Sequence, residues 1–350
     1  MTTVDGVDVW MVSPDGSHVN FTNPQKDTAT IIASYCAFGI VLTVPVFLGP
    51  CLYTAYSIRP PWHIEHYMSI LACILTLASG VLTFICLHKG VLGVHVWEMS
   101  LDDAIWKKTF ILATILLVTP GTALARLGLC ILYCRLAPML WYLHVIYGTA
   151  ILIIFTFLCV WFGLLFACKP VEAAWNLRLS TGAECIDSYS LHILHASVGG
   201  VTDLILVFVT LYNTLPLQLS WKTKAVPVAF FSTGLLTLGA AVARLAILIT
   251  GRKDPDTTFV LAQGTVCLIF ETSFVIIFGS LPNFRKFIEY FVPRVFENSQ
   301  SLVDRRINCV QGSGSEVLVL CSIGGTRMNG EEPPSDNSKY YSSSEALIGR

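Results

Sequence analysis

Apolar residues along this chain gather into seven long runs separated by short polar stretches. The runs extend approximately from Ala29 to Tyr53, Ile64 to Leu87, Thr109 to Cys134, Trp141 to Ala167, Leu191 to Leu215, Ala225 to Thr250 and Phe259 to Leu281. A helix needs about 20 such residues, at about 1.5 Å each, to cross about 30 Å of hydrocarbon, and every run meets that length. The separators concentrate Pro, Gly and charge, as in "SIRPPWH", "RLAP", "LQLSWKTK" and "GRKDPDTT". The pattern predicts an all-α membrane protein, a seven-transmembrane helix bundle over residues 29–282, with no room for a soluble domain between spans. Residues 1–28 are polar and lack the charged and apolar regions of a removable signal peptide, so the first span is expected both to target and to anchor the chain.

Composition agrees with the pattern. The 350 residues are 54% hydrophobic and 13% charged with a mean hydropathy of +0.66, whereas soluble domains carry about a quarter charged residues. The net charge of -1 offers no basic excess for nucleic acid and names no partner by itself; the apolar composition makes the lipid bilayer the expected one.

Seven spans put the termini on opposite sides, but Lys and Arg divide almost evenly between the two sets of loops and do not orient the bundle. Two other features do. "NFT" at Asn20 to Thr22 is an N-glycosylation acceptor, usable only outside the cytosol. After Leu281, Phe284, Phe287, Ile288 and Phe291 follow i, i+3, i+4, i+7 spacing opposite Arg285, Lys286 and Glu289, which predicts a short amphipathic interfacial helix over residues 283–296 against an anionic cytoplasmic leaflet. The expectation is an extracellular tail over 1–28 and a C-terminus in the cytosol. Residues 297–350 are polar and Ser-rich without a core pattern, and are expected to be a disordered cytoplasmic tail with Ser342 to Ser344 as phosphoacceptor candidates.

In this orientation Cys168 and Cys185 both fall in the outer loop between the fourth and fifth runs, where an oxidising compartment lets thiols pair. Closing a loop of that size stabilises by about 3 kcal/mol in the chain-entropy model. No CxxC or His at ligand spacing argues for metal or redox chemistry there. Cys86 remains a rival partner, and a free thiol the other alternative. Cys36, Cys73, Cys130, Cys159 and Cys267 lie within the runs and read as small packing residues.

Arg126, Asp203, Arg244 and Glu271 lie well inside runs. Each costs about 2.5 to 3.5 kcal/mol at the bilayer centre, so each should face the bundle interior and find a partner. They form either ion pairs that fix packing or a polar ligand pocket whose pairing switches between states; which acid meets which guanidinium is open. His192 and His195 at i, i+3, with His88, His95 and Asp203, raise an intramembrane metal-hydrolase alternative, although no HExxH or HxxxH motif is present, and "HIEH" from His63 to His66 is a weaker one. Pro45, Pro50 and Pro120 raise a transporter alternative through broken helices, without an internal repeat to support it. No phosphate loop, nucleophile motif or dinucleotide fingerprint occurs, so no enzyme is expected.

An ordered set of motifs carries a resemblance: "GVLGVH" after the second run, "LARLGLCILYCRLAP" through the third, "FACKPVEAAW" and a later Cys after the fourth, "TDLILVF" in the fifth, "WKTKAVPVAFFSTG" and "ARL" in the sixth, "DPDTTFV" before the seventh and "LPNFRKF" at its end. From roughly Ile31 to Phe291 the chain resembles the fungal rhodopsin-like integral membrane domain. The resemblance implies a receptor-like sensor or an accessory membrane component of a fungal secondary-metabolite pathway, with a small-molecule ligand or metabolite and a cytoplasmic signalling partner reached through short loops and the C-terminal tail. It departs from the family at Arg126, where Lys is usual. No cysteine precedes Cys36, so a cysteine-rich ligand-binding module in front is not expected. A retinal Schiff base needs an intramembrane lysine, and the lysines fall in tails, loops or at a boundary, including Lys107 and Lys108; no cofactor is expected. "YCRLAP" supplies only Arg135 of the acidic-Arg-aromatic triplet usual for G-protein coupling.

Overall fold

A computed structural model describes residues 2–4, 7–11, 21, 24, 26–58, 63–89, 92–136, 140–180, 182–214, 225–254 and 256–291, with only the backbone described at 210–214, 225–231 and 233. Asn20 and everything after Phe291 lie outside the described residues.

Seven long helices form a bundle: α1 (Thr28–Tyr53), α2 (Ile64–His88), α3 (Leu101–Leu136), α4 (Leu140–Leu165), α6 (Ser188–Thr214), α7 (Ala225–Thr250) and α8 (Thr257–Phe291). α5 is a single turn, Leu177–Ser180. Two small antiparallel pairs complete it, β1 (Thr2–Val4) with β2 (Val7–Val9) and β3 (Cys168–Lys169) with β4 (Glu184–Cys185). Among the described residues six helices are long and apolar enough to cross a membrane; in α7 the described apolar stretch is the shorter Gly234–Thr250. Large apolar side chains such as Ile32, Ile74, Ile151, Phe155, Phe162 and Phe208 are exposed around the bundle, far more apolar surface than a soluble monomer tolerates, and these form the lipid-facing wall. α3 and α8 are the inner helices, 61% and 67% buried over their apolar windows.

The helix ends follow from local chemistry. Asp27 caps α1, accepting from the Ala29 and Thr30 amides at 3.1 and 3.3 Å. Asp256 caps α8, accepting from the Phe259 amide at 3.0 Å, while its other oxygen takes the Val96 amide at 2.8 Å and ties the α2–α3 loop to α8. Inside the bundle, buried Thr76, Ser79, Thr83, Thr119 and Ser273 return their hydroxyls to carbonyls three or four residues back, satisfying groups that lipid cannot. Pro120 has no N–H for the Leu116 carbonyl; the Trp161 indole of α4 donates to that oxygen at 3.1 Å, and α3 continues unbroken. α1 likewise runs through Pro45 and Pro50 before ending in a π-helical turn, Thr54–Ile58. The breaks expected of a transporter are not present at these prolines.

Three expectations need correcting. α3 starts at Leu101 rather than Thr109, because Ser100 and the acidic pair Asp102 and Asp103 provide an N-terminal signal that the hydropathy pattern passed over. Lys107 is therefore a buried helix residue, 1% exposed, and not a loop residue; its ammonium donates to the Val94 carbonyl. Residues 283–291 do not form a separate helix. They prolong α8 to 35 residues, about 52 Å, and Phe284, Phe287 and Phe291 pack tilted or edge-on against Phe47 and Tyr53 of α1. The N-terminal tail is also partly ordered, with Val9 buried and Trp10 packed among Val94, Met99, Leu101 and Leu177.

Candidate functional site

The buried charges meet in one chain of contacts across four helices. Their exposures are 4% for Arg126, 3% for Asp203, 2% for Arg244 and 1% for Glu271. Arg126 of α3 grips Asp203 of α6 through Nε to Oδ1 at 2.9 Å and Nη2 to Oδ2 at 3.0 Å. The same guanidinium contacts Glu271 of α8 through Nη2 and Oε1. Glu271 Oε2 accepts from Arg244 of α7 at 3.3 Å, and Arg244 Nη2 lies 2.8 Å from His195 Nδ1 on α6. A guanidinium can only donate, so His195 accepts at Nδ1 and its proton sits on Nε2. Two cations and two anions cancel in a medium that solvates neither, which is the condition for burying them at all.

His192, His195, Gly199 and Asp203 lie at i, i+3, i+7, i+11 and so share one face of α6. Gly199 lets that face approach. A Cβ there would stand 3.2 Å from both terminal nitrogens of Arg126 and 3.4 Å from Glu271 Oε1. Beside the charge chain, Thr122 of α3 and Thr272 of α8 join hydroxyls at 2.5 Å.

At one end of the bundle, a disulfide links Cys168 and Cys185, while Cys86 is buried and free. The loop they close, with α5 and Trp10, covers a cavity of about 350 Å³. Ile111, Leu112, Ile115, Leu164 and Leu261 make its apolar wall; Lys108, Asp187, Tyr189 and His192 are its ionisable lining. Asp187 is exposed at the rim, and its carboxyl is held below the usual carboxylate range chiefly by the Ser190 hydroxyl. At the opposite end, Arg135 of α3 reaches Glu65 of α2 at 3.2 Å, and Asn283 of α8 donates to the Cys51 sulfur at 3.4 Å.

The sequence singled out the four charges and both cysteines, and the structure brings each set together. It missed His195 as a member of the charge chain and Glu65 as the partner of Arg135. The i+4 step from His195 to Gly199 and on to Asp203 was a readable signal for the first; nothing local signals the second. The histidines weighed as metal ligands are scattered: His95 pairs with Asp256 at 3.1 Å between the rings of Trp97 and Phe259, His195 holds Arg244, His88 lies by Phe84, and His63 stacks on His66. Among the described residues no group of three His, Cys, Asp or Glu side chains is placed to hold a metal ion.

An apolar helical bundle with an internally neutralised charge chain is a multi-pass membrane protein. Residues 52–290 match the fungal rhodopsin domain, and the chain belongs to that family. It is 25% identical over 277 residues to fugralins biosynthesis cluster protein 2 of Gibberella zeae, covering 75% of this chain and 66% of that protein. It is 34% identical over 104 residues to polyenoic acids biosynthesis gene cluster protein Ba17b of Metarhizium anisopliae, covering 29% of this chain and 26% of that protein. The chain thus spans less than two thirds of the length of either relative. No solved structure matches it.

Proposed function

We propose that this protein is a receptor-like sensor without catalytic chemistry, in which the chain Asp203–Arg126–Glu271–Arg244–His195 is the two-state element. The observation that carries this reading is that one charge chain couples α3, α6, α7 and α8 beneath a cavity that a small molecule can fill. Arg126 is shared by two acids and Glu271 by two guanidiniums, so a small helix rotation can trade one partner for another without stranding a charge. α7 counts as the seventh span, packed between α6 and α8. The N-terminus lies outside on the strength of the Asn20 acceptor, and the C-terminus in the cytosol, where Arg135, the short loops and the tail meet a signalling partner. No lysine occurs from Thr257 to Leu281, and the buried Lys107 ammonium is taken up by the Val94 carbonyl, so in this reading sensing proceeds without a covalent retinal.

A second reading is an accessory membrane component of a secondary-metabolite pathway, favoured by the relatives' names, which place both in biosynthesis clusters. Deletion strains scored side by side for surface response and metabolite profile separate the two. Loss of the response with an intact profile, rescued by wild type but not by Glu271→Gln, supports the sensor. An altered profile with a normal response removes it in favour of the accessory role.

A further inference from the structure

Among the described residues, the cavity beneath the disulfide loop is lined by two basic side chains whose hydrogen-bonding capacity is unused. His192 is only 7% exposed and, among the described residues, its imidazole has no hydrogen-bond partner, although it lines the cavity. Lys108, half-buried on the α3 wall, has no carboxylate within ion-pair distance among the described residues. Its neighbour Lys107 shows what a satisfied lysine looks like here, with its ammonium on the Val94 carbonyl and 5.7 Å from the Phe259 ring centroid. Asp187, the cavity's acid, is at the solvent rim and already accepts from the Ser190 hydroxyl at 2.6 Å and the Tyr189 amide at 3.1 Å. The interior charge left without a partner is therefore positive, and it stands in an apolar wall.

Such a site suits one ligand chemistry. An apolar body replaces water against Ile111, Leu112, Ile115, Leu164 and Leu261, and a carboxylate supplies the counter-ion that Lys108 lacks. A second donor or acceptor on the ligand then meets His192. The volume, about 350 Å³, is that of a small-molecule pocket. We infer that this cavity binds a small, mostly apolar carboxylic acid bearing a second hydrogen-bonding group, with Lys108 as the carboxylate's partner and His192 as the other contact. The ligand then sits one helical turn from His195, the end of the charge chain. The inference deepens the sensor reading above by naming the ligand class, and it is tested by binding alone.

The full-length protein in nanodiscs of zwitterionic phosphatidylcholine is unfolded thermally with decanoate, ω-hydroxydecanoate, decanol or decyltrimethylammonium. Decanoate should raise the unfolding temperature saturably and decanol much less, with ω-hydroxydecanoate half-saturating at the lowest concentration. Lys108→Met should weaken decanoate about tenfold, the equivalent of 1.4 kcal/mol, and Lys108→Arg should preserve it if the methionine variant does not fold. His192→Phe should cancel only the advantage of the hydroxyl. Equal shifts by every probe in wild type and Lys108→Met, the mark of partition into lipid, overturn the inference; so does a preference for decyltrimethylammonium. Lys108-dependent binding without any cellular response leaves the inference standing and removes the sensor reading, and the reverse result does the opposite.

Discussion

Arg126 holds Asp203 through two parallel hydrogen bonds, at 2.9 and 3.0 Å, and spends its Nη2 a second time on Glu271. A bidentate grip fixes the rotation of α6 against α3, since the planar guanidinium fork meets a carboxylate squarely in few orientations. The shared contact then makes Glu271 the joint between that pair and Arg244.

This connectivity predicts a pattern of couplings. Asp203→Asn or Glu271→Gln strands a guanidinium and should lower stability in detergent by about 3 to 5 kcal/mol. Double-mutant cycles should show coupling of about 0.5 to 3 kcal/mol for Asp203 with Arg126, Glu271 with Arg126 and Glu271 with Arg244. Asp203 with Arg244, which do not touch, should couple more weakly and only through Arg126 and Glu271, since removing both leaves a neutral Arg126–Glu271 pair. Thermal unfolding of all combinations checks it, and additivity throughout would mean the charges neither pack nor switch.

Gly199→Ala places a methyl group 3.2 Å from the Arg126 guanidinium. Retreat of the guanidinium would loosen its grip on Asp203 and Glu271, so the change should cost about 1 to 3 kcal/mol. Gly200→Ala, whose nearest contact is Ala241 at 3.9 Å, is the matched control and should be nearly silent. The same thermal measurement reads both.

Non-reducing peptide mapping should recover Cys168 linked to Cys185, with Cys86 alkylated only after unfolding. Cys168→Ser with Cys185→Ser should lower stability by about 2 to 5 kcal/mol. Alkylation of both loop cysteines without reduction would discard the staple.

Orientation is read by glycosylation. Asn20→Gln should remove a glycan-sized mass shift, and a C-terminal tag should resist protease applied to intact cells. Cleavage of the tag from outside would reverse the bundle.

Asp27 supplies a pH dependence. The Thr30 hydroxyl, with the Ala29 and Thr30 amides and Gln263 of α8, holds its carboxyl below the ordinary value of 3.8 against the opposing effect of burial. Its contribution is complete above that value and is lost as pH falls through the lower, folded one. The stability advantage of wild type over Asp27→Asn should therefore persist near neutrality and vanish as the pH falls through the lowered folded value. An advantage that grows in acid would refute the assignment.

The sequence by itself determined the apolar helices, the four charges that must face inward and the cysteine pair beside one loop. Those features are legible because hydrocarbon thickness, backbone satisfaction and the cost of a buried charge act on each segment alone. Only the tertiary structure decided that Arg126 serves two acids, that His195 rather than a metal ends the chain, that Glu65 meets Arg135, and that Trp161 reaches the carbonyl Pro120 leaves open. It also buried Lys107, left Lys108 facing a cavity, and carried α8 through the residues expected to form a separate helix. Each of these depends on how far one helix is rotated and slid against its neighbours. A hydropathy pattern states which segments lie in lipid, whereas the partner of a side chain is set by helix order and rotation, which arise only when the whole bundle packs.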